Sequence, residues 1–531
     1  MTTLIQWSWV ALVGLVLWVL LRWSLVPGSR SKYLPPGPTT YPLLGNITSI
    51  PRTGIHLQFT RWAKQYGPVF SLKIGHGTMV VLTSASHATE LLDKRSGKYS
   101  NRPSSHIIGE LVYGNDHPMF MNPDDRWRLR RKLYAEILQE TKCAQEHTRL
   151  IDAETTQLLR DLCVEPDSFM AHPGRLSNSL TMSLVYGVRT PSYDSDHYVK
   201  LQEIMTKLSA LGEIGATPPV DLLGFLKWIP ERFWGNWRTK AEQLRKKVHG
   251  LHTPLVDRVI ERRETMGERN SFLDSILDKQ EKLQLSRNEI DIMCANLLEG
   301  GTDTMATTIL TLFQAMAIHP EWQIEAQKQI ESVVDEFTMP SFEHFDRLPL
   351  VTSIVKELLR WRPPAPGAFP HALAKADEVD HMELPKDSTV IFNIWGIHHD
   401  PERYLSAEKF DPARFVNHTQ MSSAYTNSGH DKRDHFAYGA GRRICPGIHL
   451  AERALFLASA RVLWAFTIKH KTNSTGRAVP ISVDPETAYR DGFLNQCRPF
   501  MVDLVPRSQQ RLETIMASFA RAEVDVLNSY D

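Results

Sequence analysis

The chain opens on an almost unbroken apolar run and then breaks into blocks of helical and strand-like periodicity. Leu4 to Leu21, LIQWSWVALVGLVLWVLL, carries only Gln6 and Ser8 as polar residues. Its length reaches the lower part of the range that crosses a bilayer. Leu34-Pro35-Pro36-Gly37-Pro38 follows, a stiff turn that ends any helix. Periodicity then predicts a helix over 56–66 and strands over Val69–Ile74 and Met79–Leu82. Helices with polar breaks fill 145–210, and a charged, exposed helix and connector fill Arg238–Arg287. Ser286-Arg287-Asn288-Glu289 has the capping-box pattern and starts a helix that His319-Pro320 stops. Leu350–Trp361 is the next amphipathic helix, Val390–Asn393 and Trp395–His398 read as strands, and Ile448–Phe466 is an apolar helix. From Arg511 onward the pattern is again helical.

Two stretches have no firm rhythm. Ser104 to Pro118 mixes Ile107, Ile108, Leu111, Val112 and Tyr113 with glycines, and reads as either a pocket wall or a surface loop. Ala216–Trp237 gathers Leu222, Leu223, Phe225, Leu226, Trp228, Phe233 and Trp234 among prolines and glycines. Such a patch marks a lid that dips into a bilayer, or a loop buried against its own helices.

Composition narrows the class. Of 531 residues, 42% are apolar and 23% charged, as in an ordinary globular protein. Lysine plus arginine (61) nearly cancels aspartate plus glutamate (60), so no global polycation points to nucleic acid. The five cysteines, Cys143, Cys163, Cys294, Cys445 and Cys497, are scattered and lack CxxC spacing, which argues for a reducing compartment. No basic residue precedes the apolar run, whereas Arg22, Arg30 and Lys32 follow it; the positive-inside rule leaves the rest of the chain cytosolic. A cleaved signal peptide fits poorly, and a retained anchor in the endoplasmic reticulum membrane is expected. The sequons at Asn46, Asn417 and Asn473 would then be chance matches.

The chemistry concentrates in Phe436–Gly447, FAYGAGRRICPG. Gly439 and Gly441 let the backbone fold tightly before Cys445, and Pro446 suits a first helical turn. Cys445 would sit at the positive end of a helix dipole beside Arg442 and Arg443, both of which favour thiolate. A thiolate with a flat approach and nearby cations is what ligation of haem iron requires. In Arg126–Leu133, RWRLRRKL, Trp127 and Arg131 stand four apart on one helix face. Arg128, Arg130 and Lys132 form either a solvated face or a cationic docking patch. Glu299-Gly300-Gly301-Thr302-Asp303-Thr304 places two glycines inside the long helix, for close packing or for a local break. Glu357 and Arg360 stand three apart and can pair.

Together these segments resemble the cytochrome P450 family. Gly441, Arg443, Cys445 and Gly447 match its FxxGxRxCxG signature, with Tyr438 where the family usually has Phe. Trp127 and Arg131 resemble its WxxxR, Gly300–Thr304 its (A/G)Gx(D/E)T, and Glu357–Arg360 with Arg414 its ExxR and PERF-type arrangement. The resemblance runs from the hinge to about Leu504. It implies a mainly α haem-thiolate fold with a small β subdomain, preceded by one transmembrane helix. The expected divisions are an anchor over 1–22, a hinge over 23–40, a catalytic domain over 41–510 and a tail over 511–531.

By the same resemblance Cys445 holds the iron of haem b, Arg443, Gly441, Gly447 and Tyr438 belong to its binding loop, and Trp127, Arg131 and His371 contact its propionates; a surface role for His371 is the competing reading. Thr304 and Asp303 would deliver protons during oxygen activation, Asp303 from solvent. Glu357, Arg360 and Arg414 would brace the cysteine loop. The Asp491-Gly492-Phe493 turn would close the pocket. The implied function is monooxygenation of a lipophilic substrate, with electrons from NADPH through a separate reductase and with cytochrome b5 as a second candidate donor. The likeness is to filamentous-fungal members that make specialised metabolites (polyketides, terpenoids or alkaloids). Two rivals remain: a haem-thiolate isomerase or dehydratase working without O2, and a non-catalytic membrane haem-binding protein.

Overall fold

The computed structural model describes residues 7, 9–18, 30–41, 44–212, 216–221, 223–490 and 492–531. The long helix Arg287–Ile318 runs through the middle of a mainly helical body. Ser286 caps it with the reciprocal Ser–Glu289 bonds expected from sequence. It packs along His172–Tyr186, and further helices, Trp237–Thr265, Pro349–Trp361 and Ile448–Ala465, lie against it. These helices share one large apolar core. Trp237–Thr265 is less exposed than its charge suggested, because Leu244, Val248, Leu251, Val256 and Val259 bury one face.

A smaller β region has its own core. Strands Val69–Ile74, Gly77–Leu82, Thr389–Phe392 and His371–Ala372 form one sheet in that spatial order. Gly77–Leu82 pairs parallel with Thr389–Phe392, and the other neighbours are antiparallel. The strand expected over Trp395–His398 is instead a short helix, Ile394–His398. Asn393 ends the ladder by donating from its backbone to Leu82 O, and the buried Trp395, Ile397 and His398 then pack at helical spacing.

The C-terminal helix Gln509–Asp525 packs on Thr148–Val164. Residues 9–18 are helical and exposed. The rest of the Leu4–Leu21 run lies outside the described residues, among which no helix is long and apolar enough to cross a membrane. Asn46 is wholly buried and bonded through its side chain to Thr39 O and Lys73 N, so its sequon is structural.

Candidate active site

The cysteine loop is built by backbone chemistry. Gly441 sits at φ +62°, and a Cβ there would collide with Leu92 O. Asp93 holds the same turn through Gly441 N–H (2.6 Å) and is paired with Arg433, which donates to Gly439 O. Cys445 N–H donates to Tyr438 O at 2.8 Å. The helix proper starts at Ile448, so Pro446 precedes it rather than occupying its first turn. Burial pushes the Cys445 thiol up, while Gly447 N–H and the Arg131 guanidinium pull it back. The cation acting on sulfur is therefore Arg131, not the neighbouring Arg442, which is exposed. Arg131 reaches the loop by donating to Ile444 O at 2.8 Å.

Beneath the loop lies a buried ion network. Glu357 takes Arg360 Nε at 2.6 Å and Nη2 at 2.7 Å, accepts Asp411 N–H at 2.7 Å, and has Arg414 Nε at 3.6 Å. Arg360 spends its other donors on the carbonyls of His398, Ala407 and Lys409. His398 carries the brace onward. Its Nε2 accepts Phe436 N–H at 2.8 Å, so Nδ1 bears the proton and donates to Arg360 O at 3.1 Å. A second pair, Lys356 with Asp434 at 2.6 Å, is equally buried. Beside it Glu452 accepts Ser422 and Ser423 N–H, and burial raises its carboxyl to about 7.

Three arginines gather without carboxylates. Arg443 donates to the carbonyls of Ser100, Pro118 and Met121, and Arg102 to those of Met119, Phe369 and Pro370. With Arg131, none of them forms an ion pair among the described residues. Arg443 lies over the ring of Trp127, 4.3 Å from its centroid. Burial and Arg131 lower the Arg443 guanidinium to about 9. His371 is buried, not a surface residue; Nδ1 donates to Tyr99 O at 2.7 Å. Burial and the charges of Arg102 and Arg443 push its ring down to about 3. Arg130 departs from both readings of the basic helix: it is 1% exposed and tied to Asp116 and Glu289. Of Arg128, Arg130 and Lys132, the first and last remain on the solvent face.

The central helix runs unbroken through Gly300-Gly301. A Cβ on Gly301 would strike Thr181 Oγ1 at 2.6 Å, so this glycine serves close helix packing. Gly300 differs: it is exposed, and nothing would meet its Cβ within 4 Å. Leu297, Gly300, Gly301 and Thr304 thus form a partly open stripe on an otherwise buried helix. Thr304 Oγ1 donates to Gly300 O at 2.9 Å. Asp303 is buried rather than turned to solvent, accepts Gln202 Nε2–H at 3.0 Å, and has its carboxyl raised by burial.

Of the neighbouring segments, Ser104–Pro118 reaches this helix through Tyr113 and His117 at Glu299. Ser104–Pro118 is not a surface loop: His106–Val112 makes a π-helical turn with Ile107 and Val112 buried. The 216–237 segment divides, with Val220, Leu226 and Trp237 buried and Phe225, Trp228 and Phe233 exposed; Leu222 lies outside the described residues. Of the C-terminal turn, Asp491 lies outside the described residues, and Phe493 packs on Phe369 at 3.9 Å between ring centroids.

Comparison with known proteins decides what this arrangement belongs to. The sequence profile of the cytochrome P450 family matches residues 35–483. This chain is a cytochrome P450. It is 61% identical to the cytochrome P450 monooxygenase anuE of Penicillium roqueforti, over 90% of this chain and 98% of that protein. It is 41% identical to the cytochrome P450 monooxygenase yanC of Aspergillus niger, over 99% of each chain. A third relative, the cytochrome P450 monooxygenase macC of Penicillium terrestre, is 43% identical over 94% of each.

The family implies a haem-thiolate cofactor, and the residues present fit one. Arg102, Arg131 and Arg443 supply cations without a carboxylate ion pair among the described residues, Asp124 acting on Arg443 only from beyond contact distance, as the two propionates of a haem would demand. Arg102, His398 and Asp93 escaped the sequence reading. Arg102 stands in Asn101-Arg102-Pro103 without a spacing motif, and His398 in a run whose alternation looked like strand. Asp93 lies 348 residues from the glycine it holds.

Proposed function

We propose that this cytochrome P450 inserts one oxygen atom from O2 into a lipophilic organic substrate in a fungal specialised-metabolite pathway. The observation that carries the reading is the cluster of carboxylate-free arginines beside a braced Cys445 loop, under a helix that keeps an acid and an alcohol at Asp303 and Thr304. Cys445 would hold the iron of haem b, and Arg102, Trp127, Arg131, Arg443 and His371 would hold its propionates. Gly441 and Gly447 keep the loop flat, and Tyr438 keeps an aromatic ring beside the sulfur. The bound haem supplies electron transfer and O–O cleavage, assisted by thiolate donation.

The chain's own residues supply position and protons. Asp303, its carboxyl raised by burial and held by the neutral amide of Gln202, is placed to pass a proton on. Thr304 Oγ1 gives up its bond to Gly300 O to take part in that transfer. Glu357, Arg360 and Arg414 hold the loop and do not touch substrate. Electrons come from NADPH through a membrane reductase or cytochrome b5, which Arg128 and Lys132 help to dock. The apolar run Leu4–Leu21 anchors the chain in the endoplasmic reticulum membrane with the catalytic domain cytosolic, and exposed Phe225, Trp228 and Phe233 rest on the lipid.

The intact acid–alcohol pair favours this reading over an O2-independent isomerase or dehydratase. Turnover under 18O2 with reductase and NADPH tests it. Product carrying one labelled oxygen is expected. Product formed at an equal rate without O2 would overturn the reading.

A further inference from the structure

One turn before Asp303, the central helix carries a second buried carboxyl group that the reaction scheme does not use. Glu299 is 7% exposed. Its oxygens accept the Tyr113 hydroxyl at 3.0 Å and His117 Nε2 at 3.2 Å. His117 Nδ1 accepts Met119 N–H at 3.3 Å, so the proton lies on Nε2 and the ring donates it to Glu299. No lysine or arginine joins the group among the described residues. A carboxylate offers about four lone-pair sites, and Tyr113 has a single hydrogen to share between two oxygens. Each Glu299 oxygen thus has a donor, and lone pairs remain on both for one more.

The surroundings say what kind. Tyr113 and His117 both pack on Phe120, at 6.1 and 5.4 Å between centroids. Phe120 meets Phe369 edge-on at 6.3 Å, and Phe369 meets Phe493. Phe120 and Phe369 are partly accessible, and Phe493 and Gly300, the residue after Glu299, are exposed. From above, a Cβ on Gly212 would lie 3.4 Å from Ile108 Cδ1, which brings the end of Asp196–Gly212 onto the same border. The result is an aromatic wall with one under-filled acid at its polar end. Tyr113 already sets a phenol hydroxyl on that acid, so its geometry suits an aromatic O–H.

We propose that Glu299, with Tyr113 and His117, forms a specificity subsite that hydrogen-bonds an aromatic hydroxyl of the substrate while Phe120 and Phe369 pack on its ring. This rests on the monooxygenase reading, whose oxidised position it would orient. A site built to pair a substrate hydroxyl discriminates strongly against the analogue that lacks it. A purely structural tie between segment and helix would not.

The test uses the membrane-expressed holoprotein and two near-isosteric probes, 2-naphthol and 2-methylnaphthalene, with Kd read by equilibrium dialysis. Glu299→Leu is expected to raise the 2-naphthol Kd at least about tenfold, the scale of a hydrogen bond to a charged group. The 2-methylnaphthalene Kd should stay within about twofold, the variation expected for a ligand that makes no such bond. Parallel changes for both probes, an unaltered 2-naphthol Kd, or failure of the native protein to bind 2-naphthol would each overturn the proposal. Should Glu299→Leu not fold, Glu299→Gln decides, because it keeps the shape and weakens the acceptor. A selective rise of about threefold or more for 2-naphthol is expected of it, and no selective change overturns the subsite. The reduced carbon monoxide spectrum of each sample separates the two levels. A thiolate band with no probe selectivity sinks the subsite alone, whereas no thiolate band in the native protein sinks the monooxygenase reading.

Discussion

Around the cysteine loop, carboxylates meet buried cations: buried Glu357 with Arg360, buried Asp434 with Lys356, and half-buried Asp93 with Arg433. In the middle of the central helix, the buried carboxyl groups Glu299 and Asp303 meet Tyr113, His117 and Gln202 and no lysine or arginine, whereas Asp291 near the start of the helix pairs with Arg287. The first arrangement fixes geometry, since breaking a pair strands a charge in low dielectric. The second leaves protons and donors free to exchange, which suits proton delivery and substrate recognition. Between the two, Arg102, Arg131 and Arg443 carry the opposite imbalance, cations without anions, where a di-anionic cofactor would sit.

Substitutions on the two sides should therefore fail differently. Glu357→Ala removes the acceptor for Arg360 and Asp411 N–H. It should cost about 3–5 kcal/mol and abolish haem retention. Urea unfolding and the haem-to-protein ratio measure this, and a stable haem-loaded variant would break the comparison on the braced side. Thr304→Ala should leave folding and haem content intact. It should lower coupled turnover by roughly 10²-fold, with peroxide released instead. Unchanged coupling would remove Thr304 from proton delivery.

Glu452 sharpens the comparison, because it is a carboxyl on the braced side that lacks a hydrogen-bonded cation. Its folded value, about 7, lies above the unfolded value of roughly 4.3. Its contribution is thus fully present below the unfolded value and lost as pH rises towards 7. Native stability should fall by roughly 2–4 kcal/mol across that window, and Glu452→Gln should flatten the fall. Chemical denaturation at pH 5 and pH 8 compares the two; equal slopes would contradict the assignment. The smallest effect expected is at the cation cluster. Arg102→Leu should weaken haem affinity by roughly tenfold, about 1.4 kcal/mol, measured by haem transfer to an acceptor globin. Unaltered transfer would exclude Arg102 from the cluster's role.

How far sequence reached follows the same division. Cys445, Gly441 and the Glu357–Arg360 pair are legible because short spacings along the chain mark them, although Leu92, Asp93 and Arg131, which act on the cysteine loop, come from distant segments. The capped central helix is legible for the same reason. Arg102, Asp93 and His398 are not, because their roles come from chain segments 17 to 348 residues away. The burial of Arg130 and His371 was likewise open in sequence, since a helix face or a short strand shows its solvent side only after packing. Asp303 was found by its motif, but its Gln202 partner, 101 residues earlier, needed the fold.

The central claim is that Cys445 presents a thiolate to haem iron within this braced loop. The dithionite-reduced carbon monoxide difference spectrum of the membrane-expressed protein tests it most directly, with Cys445→Ala alongside. A strongly red-shifted Soret band in the native protein, absent from the variant, is the result predicted. A band at the position of histidine-ligated haem, or a red-shifted band that survives Cys445→Ala, would contradict it.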